Sequence, residues 1–194
     1  MKMKKIFSYP RKIETERLVL KKTTLSDEKF VPEILEAVKD SIKVQKEFSP
    51  WSKTDNQETI IGYIKSSIKR WKTGNRYLYF IFDKKNKYFL GEISLHRFVK
   101  WNKTAEMGYW IKPSATKKGY CQEAVKVMEK LAFAGDLNRL VLKVDSLNKF
   151  SIRTAELAGY HLDGVLRQDS YIPDLDILSD TNYYTKLKDE WKSK

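Results

Sequence analysis

The sequence predicts a mixed α/β (α+β) domain built on one central sheet. Three observations carry that prediction. Apolar and polar residues alternate around Leu18 and Leu20 in 15–24, and 76–98 and 105–113 carry further strand-like apolar runs bounded by the turn "DKKNK" and by Pro113. Apolar residues recur at helical spacing in 56–75 and again from Cys121 to Ala132. The two periods interleave along the chain, so strands and helices share one core. At 194 residues and 41% apolar composition the chain has the size of a single domain, residues 1–194, with a sizeable core.

Taken in order, "MKMKKIFSYPRK" (1–12) is expected to be a flexible basic segment, and "TERLVLKKTT" a strand around Leu18 and Leu20. "LSDEKFVPEILEAVKDS" (25–41) reads as one helix, with Ser26 or Asp27 as N-cap and Pro32 in its first turns. "NQETIIGYIKSSIKRWKTGN" carries Ile60, Ile61, Ile64, Ile68 and Trp71 near helical spacing and closes at Gly74. "RYLYFIFDKKNKYFLGEISLHRF" reads as a hairpin around "DKKNK", and "AEMGYWIKP" as a strand stopped by Pro113. Past Gly119, Cys121, Ala124, Val125, Met128, Leu131 and Ala132 form one face of an amphipathic helix. "RLVLKVD" is a strand, "NKFSIRTAELAGY" a short helix closed by Gly159, and "HLDGVLRQDSYI" and "TNYYTKL" are two late strands.

Composition narrows the function classes. Lys+Arg number 38 and Asp+Glu 25, a net charge of +13, which attracts anions. The lysines are scattered, without a block of like charge, which argues for a solvated surface and against a nucleic-acid stripe. One cysteine and two histidines (Cys121, His96, His161) show no metal-ligand spacing, so no metal is expected. The basic start lacks a signal-peptide core and "YLYFIF" is too short to span a membrane. A soluble, cytoplasmic protein, monomer or homodimer, is expected.

The stretch "WIKPSATKKGYCQEAV" (110–125) places two lysines and a glycine where a helix begins. A helix start already carries unpaired N–H groups and partial positive charge, so cations there oppose the dipole unless an anion sits on the turn. One glycine between lysines also describes an ordinary strand-to-helix connection, and the local sequence leaves both readings open.

The loop Thr116-Lys117-Lys118-Gly119-Tyr120-Cys121 resembles the Gln/Arg-x-x-Gly-x-Gly/Ala motif of the GNAT acetyltransferase superfamily. The middle Gly is kept, Thr116 stands for the usual Gln or Arg, and Cys121 for the last small residue. "IETERLVLKKTTLSD", "LGEISLHRF", "AEMGYWIKP", "NKFSIRTAELAGYHLDGVLR" and "DTNYYTKLKDEW" follow the order of the RimJ/RimL-like branch. That branch includes enzymes acetylating N-terminal amines of ribosomal proteins. The likeness covers about residues 13–191, and the joint occurrence is more specific than any single piece.

The resemblance implies a GNAT fold, a mixed and mostly antiparallel splayed sheet flanked by helices. It implies acetyl-CoA as cosubstrate and transfer of acetyl to a primary amine. The acceptor class it points to is a protein N-terminus, with the basic surface favouring an acidic one. The alternatives are a small-molecule amine acceptor (antibiotic or metabolite) or a CoA-binding domain without catalysis. The amides from Lys117 to Cys121 would hold the diphosphate, with Lys117 and Lys118 either reinforcing it or simply solvated. Backbone groups of Trp110 and Ile111 would meet the pantetheine arm. Asn148 and Ser151, which read locally as a helix cap, would bind pantetheine and protonate the thiolate.

For a base, strand alternation aims Glu106 at the face of Gly108 and Trp110, and Glu92 is a second candidate. Either could instead be a surface carboxylate. His96 could border the acceptor site, and Trp51 and Tyr171 could line it, with core packing as the competing reading of all three.

Overall fold

Strand β3 (Arg76–Asp83) is buried along most of its length, and the division of its side chains organises the molecule. Leu78, Phe80 and Phe82 pack with Val31, Ile34 and Val38 of helix α1 (Val31–Gln45) and with Ile60 and Ile64 of α2 (Gln57–Lys72). Tyr79 and Ile81 point to the opposite face, into a larger cluster with Ala124, Val125, Met128 and Ala132 of α3 (Tyr120–Ala134). Period-two strand residues thus meet period-3.6 helix residues on both faces of one sheet. Each such Leu, Ile or Phe contributes roughly 1.5–3 kcal/mol on full burial.

In this computed structural model the described residues are 8–45, 56–172 and 175–192. The remaining strands are β1 (Lys12–Glu14), β2 (Leu18–Lys22), β4 (Phe89–Val99), β5 (Thr104–Ile111), β6 (Arg139–Asp145), β7 (His161–Ile172) and β8 (Ile177–Leu187). They form an eight-stranded sheet in the order β1-β2-β3-β4-β5-β6-β8-β7. Every neighbouring pair is antiparallel except β5–β6. Helix α4 (Lys149–Leu157) and the terminal α5 (Lys188–Lys192) pack on the α3 face through Ala155, Ile152 and Trp191. Among the described residues no helix is long and apolar enough to cross a membrane.

Several expectations are adjusted. Residues 25–41 are not one helix: Leu25–Phe30 form a 3-10 helix, and α1 begins at Val31. Pro32 accounts for the break, because it has no N–H to donate and suits the first turn of a new helix. Thr24, not Ser26 or Asp27, occupies the N-cap position of that 3-10 helix. The Asp27 carboxylate accepts the Thr24 N–H at 2.6 Å. The segment expected to be flexible over 1–12 is packed from Tyr9 onward. Tyr9 stacks on Tyr77 at 4.0 Å, and the Tyr79 hydroxyl donates to the Pro10 carbonyl at 2.8 Å. Residues 1–7 lie outside the described residues. The last strand begins at Ile177, four residues before the apolar alternation at Thr181 announces it.

Candidate active site

β5 and β6 pair only over Thr104–Glu106 and Arg139–Val141. Beyond that, β5 stays on β4 as far as Ile111 and β6 stays on β8 as far as Asp145, so the two strands part. Two cavities open at the parting. One, of about 340 Å³, lies against Ile111, Thr116, Gly119, Cys121 and α4. The other, of about 460 Å³, lies against Gly108, Lys143, Asp145 and the β7 end. Tyr109, Asn148 and Ser151 line both, so they stand where the cavities meet.

The first cavity ends on the turn before α3. Lys117 (φ 59°) and Gly119 (φ 79°) are both in the left-handed region, with Lys118 between them outside it. Alternation of this kind curls successive N–H groups toward one point, an anion-binding nest. Gly119 is the N-cap of α3, so the first amides of the helix, with no intrahelical acceptors, face the same end. This donor set fits a diphosphate. The Thr116 hydroxyl is turned back onto the Pro113 carbonyl at 2.8 Å, and the Tyr120 ring lies under Arg17 at 4.9 Å. Thr116, Lys117, Gly119, Tyr120 and Cys121 line the cavity.

The strand side of this cavity corrects one expectation. Lys112 N–H donates to the Leu90 carbonyl at 2.8 Å, and a Cβ on Gly91 (φ 154°) would lie 2.0 Å from the Trp110 carbonyl oxygen. The main chain of Trp110 is therefore turned to β4, while its indole N–H donates to Ser41 at 2.7 Å on the α1 side. By strand alternation the open main-chain groups are those of Tyr109 and Ile111, not Trp110 and Ile111.

On the α4 side, Asn148 is the N-cap, its side chain accepting the Ser151 N–H at 3.0 Å. The cap fixes Ser151 in the first turn at the junction of the cavities. Tyr109 reaches across to the Ser151 carbonyl at 3.4 Å, and burial raises its phenol well above the ordinary range. Burial likewise pushes the Cys121 thiol up to about 12, so at neutral pH it is an un-ionised, apolar wall.

Around the second cavity, Tyr171 lies in the wall and its hydroxyl donates to Asp176 at 2.7 Å. Glu106 does not stand alone. Arg97 (3.2 Å) and Lys143 (3.2 Å), both in that wall, bind its two oxygens. His96 packs behind the wall, its ring 3.2 Å from where a Cβ on Gly108 would be. Burial, then Arg76, takes the imidazole down to about 4, so it is neutral at physiological pH. Glu92 is buried on the α2 side, accepting from Tyr63 at 2.7 Å, with its second oxygen lacking a hydrogen-bond partner. Burial raises its carboxyl. Trp51 lies outside the described residues.

Sequence reasoning missed Arg97 and Lys143, whose part follows only from the parting of β5 and β6. It also missed Thr15, Arg17 and Glu123. The Arg17 guanidinium donates to the Lys118 carbonyl at 2.8 Å and to Glu123 at 2.7 Å, and the Arg17 N–H and Thr15 hydroxyl donate to the same carboxylate at 2.9 and 2.5 Å. No local period marks contacts between residues 106 apart.

A cavity ending on a nest, joined through a strand parting to a second cavity, suits a group transferase whose donor and acceptor enter from separate sides. The chain belongs to the GNAT acetyltransferase family: residues 17–161 match the family model described as the acetyltransferase (GNAT) domain. It is an N-acetyltransferase. It is 30% identical over 139 residues to the ribosomal-protein-serine acetyltransferase of Escherichia coli (strain K12), spanning 71% of this chain and 73% of the relative. Its fold is similar to that of RimL, a ribosomal-protein α-N-acetyltransferase solved in complex with coenzyme A. That match has a TM-score of 0.80 and 24% identity, over 91% of this chain and 97% of that one. It is also similar to the microcin C7 self-immunity acetyltransferase solved with acetyl-CoA and AMP. There the TM-score is 0.82 and the identity 23%, over 94% and 99% of the two chains.

Proposed function

We propose that this enzyme transfers the acetyl group of acetyl-CoA to the N-terminal α-amine of a protein, a ribosomal protein by analogy with its relatives. The observation that carries the proposal is the junction of the two cavities at Tyr109, Asn148 and Ser151. When bound, acetyl-CoA supplies an activated acyl carbon at that junction. Amides from Lys117 to Cys121 grip its diphosphate, the Asn148 side chain and the main chain of Tyr109 and Ile111 hold its pantetheine arm, and the same main chain faces the developing oxyanion. The net proton change is simple: the attacking amine gives up one proton and the departing thiolate gains one, with the Ser151 hydroxyl donating to the thiolate as it takes up the proton the amine releases.

The state of Glu106 supports an α-amine over a lysine side chain. Arg97 and Lys143 occupy its oxygens, so its role in this proposal is to hold those two cations at the acceptor wall rather than to abstract a proton. An α-amine, with a pKa near 8, is about one-quarter neutral at pH 7.5 without help. A lysine ε-amine is neutral at only about 0.1%. The cations also suit an acidic acceptor, with Tyr171 bordering it and His96 packed behind the wall. The relative's name, ribosomal-protein-serine acetyltransferase, agrees with this acceptor class.

The test is an acceptor screen with labelled acetyl-CoA on acidic and neutral N-terminal peptides, the same peptides with blocked α-amines and an internal lysine, spermidine and an amino sugar. The proposal expects the acidic free-amine peptide to be fastest. Faster transfer to the amino sugar or to blocked peptides would replace it with a small-molecule or lysine acceptor.

A further inference from the structure

The turn that forms the diphosphate nest does not hold its shape alone. Its Lys118 carbonyl, which faces away from the nest, accepts from Arg17 Nη1 at 2.8 Å. A Cβ on Gly119 would be 3.3 Å from Nη2 of the same guanidinium, so Arg17 lies against the outer side of this turn. Glu123, in the first turns of α3, then fixes Arg17. Its Oε2 accepts from Arg17 Nε at 2.7 Å, and its Oε1 accepts from the Arg17 N–H at 2.9 Å and the Thr15 hydroxyl at 2.5 Å. The β1–β2 turn that carries Thr15 and Arg17 is itself anchored, because the Arg17 carbonyl accepts the Lys84 N–H at 2.8 Å and the Thr15 carbonyl accepts Lys84 Nζ at 3.1 Å.

We infer that Arg17, locked by Glu123 and Thr15, is a positioning residue that fixes the Lys118–Gly119 peptide with its carbonyl outward and its N–H toward the diphosphate of the donor. A peptide plane is rigid, so holding the carbonyl on one side commits the N–H to the other. Without the brace the strained Lys117–Gly119 turn is free to relax, and the nest loses the donor that this peptide supplies. The geometry requires the forked guanidinium, since one arm takes the carbonyl while another takes the carboxylate.

The inference rests on the acetyl-CoA reading above, and the experiment separates the two. Steady-state kinetics are measured with acetyl-CoA and with S-acetylpantetheine, which has the same thioester and no diphosphate. Wild type is expected to prefer acetyl-CoA strongly in kcat/KM; absence of that preference would overturn the donor reading itself. Arg17→Ala is expected to lower the preference at least tenfold, through a raised KM for acetyl-CoA, with the loss confined to the diphosphate-bearing donor. Arg17→Lys keeps the charge but not the fork and is expected to behave like Arg17→Ala; wild-type preference in that variant would mean a direct electrostatic contact and overturn the brace. Glu123→Gln is expected to shift the preference in the same direction, and its combination with Arg17→Ala to add little to the single change. An equal fall with both donors, or an unchanged preference in all variants, would overturn the inference.

Discussion

At His96 the environment opposes charge: burial and the nearby Arg76 bring its imidazole down to about 4 from an ordinary value of 6.5. Between those two values the unfolded chain binds a proton that the native state does not. Stability therefore rises with pH across the window; the contribution is complete above about 6.5 and is lost as pH falls toward 4, with a slope of at most about 1.4 kcal/mol per unit. His96→Gln removes that dependence. Urea denaturation of both proteins at pH 7.5 and 5.0 should show a smaller loss of stability in the variant, and equal losses would refute the assignment. Ser151 gives a second prediction at this scale. A thiol with a pKa near 8.5 leaves with little assistance, so Ser151→Ala should lower kcat by less than about tenfold. General acids acting on poorer leaving groups contribute about 10²–10⁴. A fall beyond a hundredfold would mean that expulsion of the thiolate depends on this hydroxyl.

Among the elements, β8, α3 and the end of α4 are tied by one buried cation. Lys186 Nζ donates to Glu129 at 2.5 Å and to the Ala158 carbonyl, and the two side chains are 3% and 5% exposed. Lys186→Met leaves the Glu129 carboxylate without its cation in the core and should cost about 3–5 kcal/mol, whereas Lys186→Met with Glu129→Leu should recover most of that. Equilibrium denaturation of the three proteins checks both statements, and a double variant no better than the single would refute the charge argument. This tie also marks the limit of what the sequence discloses. The helix and strand periods of α2, α3, β3 and β5 were legible because each is a local pattern, and so was the Gly119 turn. The Lys186–Glu129 pair, the Arg17 brace and the parting of β5 from β6 depend on segments far apart in the chain, where no period exists. The split at Val31 was announced by Pro32, but helical spacing on both sides of it suggested continuity. Trp110 was misassigned for a related reason: strand alternation says which residues share an orientation, and only the Gly91 contact with its carbonyl says which set faces the gap.

For the molecule as a whole, the net charge of +13 acts at a distance that salt sets. Screening lengths are about 10 Å at 0.1 M salt and about 3 Å at 1 M, so a scattered basic surface steers acceptors only when salt is low. Arg97 and Lys143 line the second cavity, and under the proposed function they would add a contact term that is shorter in range and less sensitive to salt. The two contributions separate experimentally. Under the proposed function, kcat/KM for an acidic N-terminal peptide should exceed that for a neutral one severalfold at about 50 mM salt. Most of that advantage should disappear by about 500 mM, while the rate with the neutral peptide changes little. Arg97→Ala should lower what remains at high salt, because it removes a local partner rather than the field. Spermidine should be a poor acceptor at low salt, since the same field repels it, and should improve as salt rises. If spermidine outpaces the acidic peptide at low salt, the charge of this surface has no part in choosing the acceptor, and the preference must come from the shape of the second cavity alone.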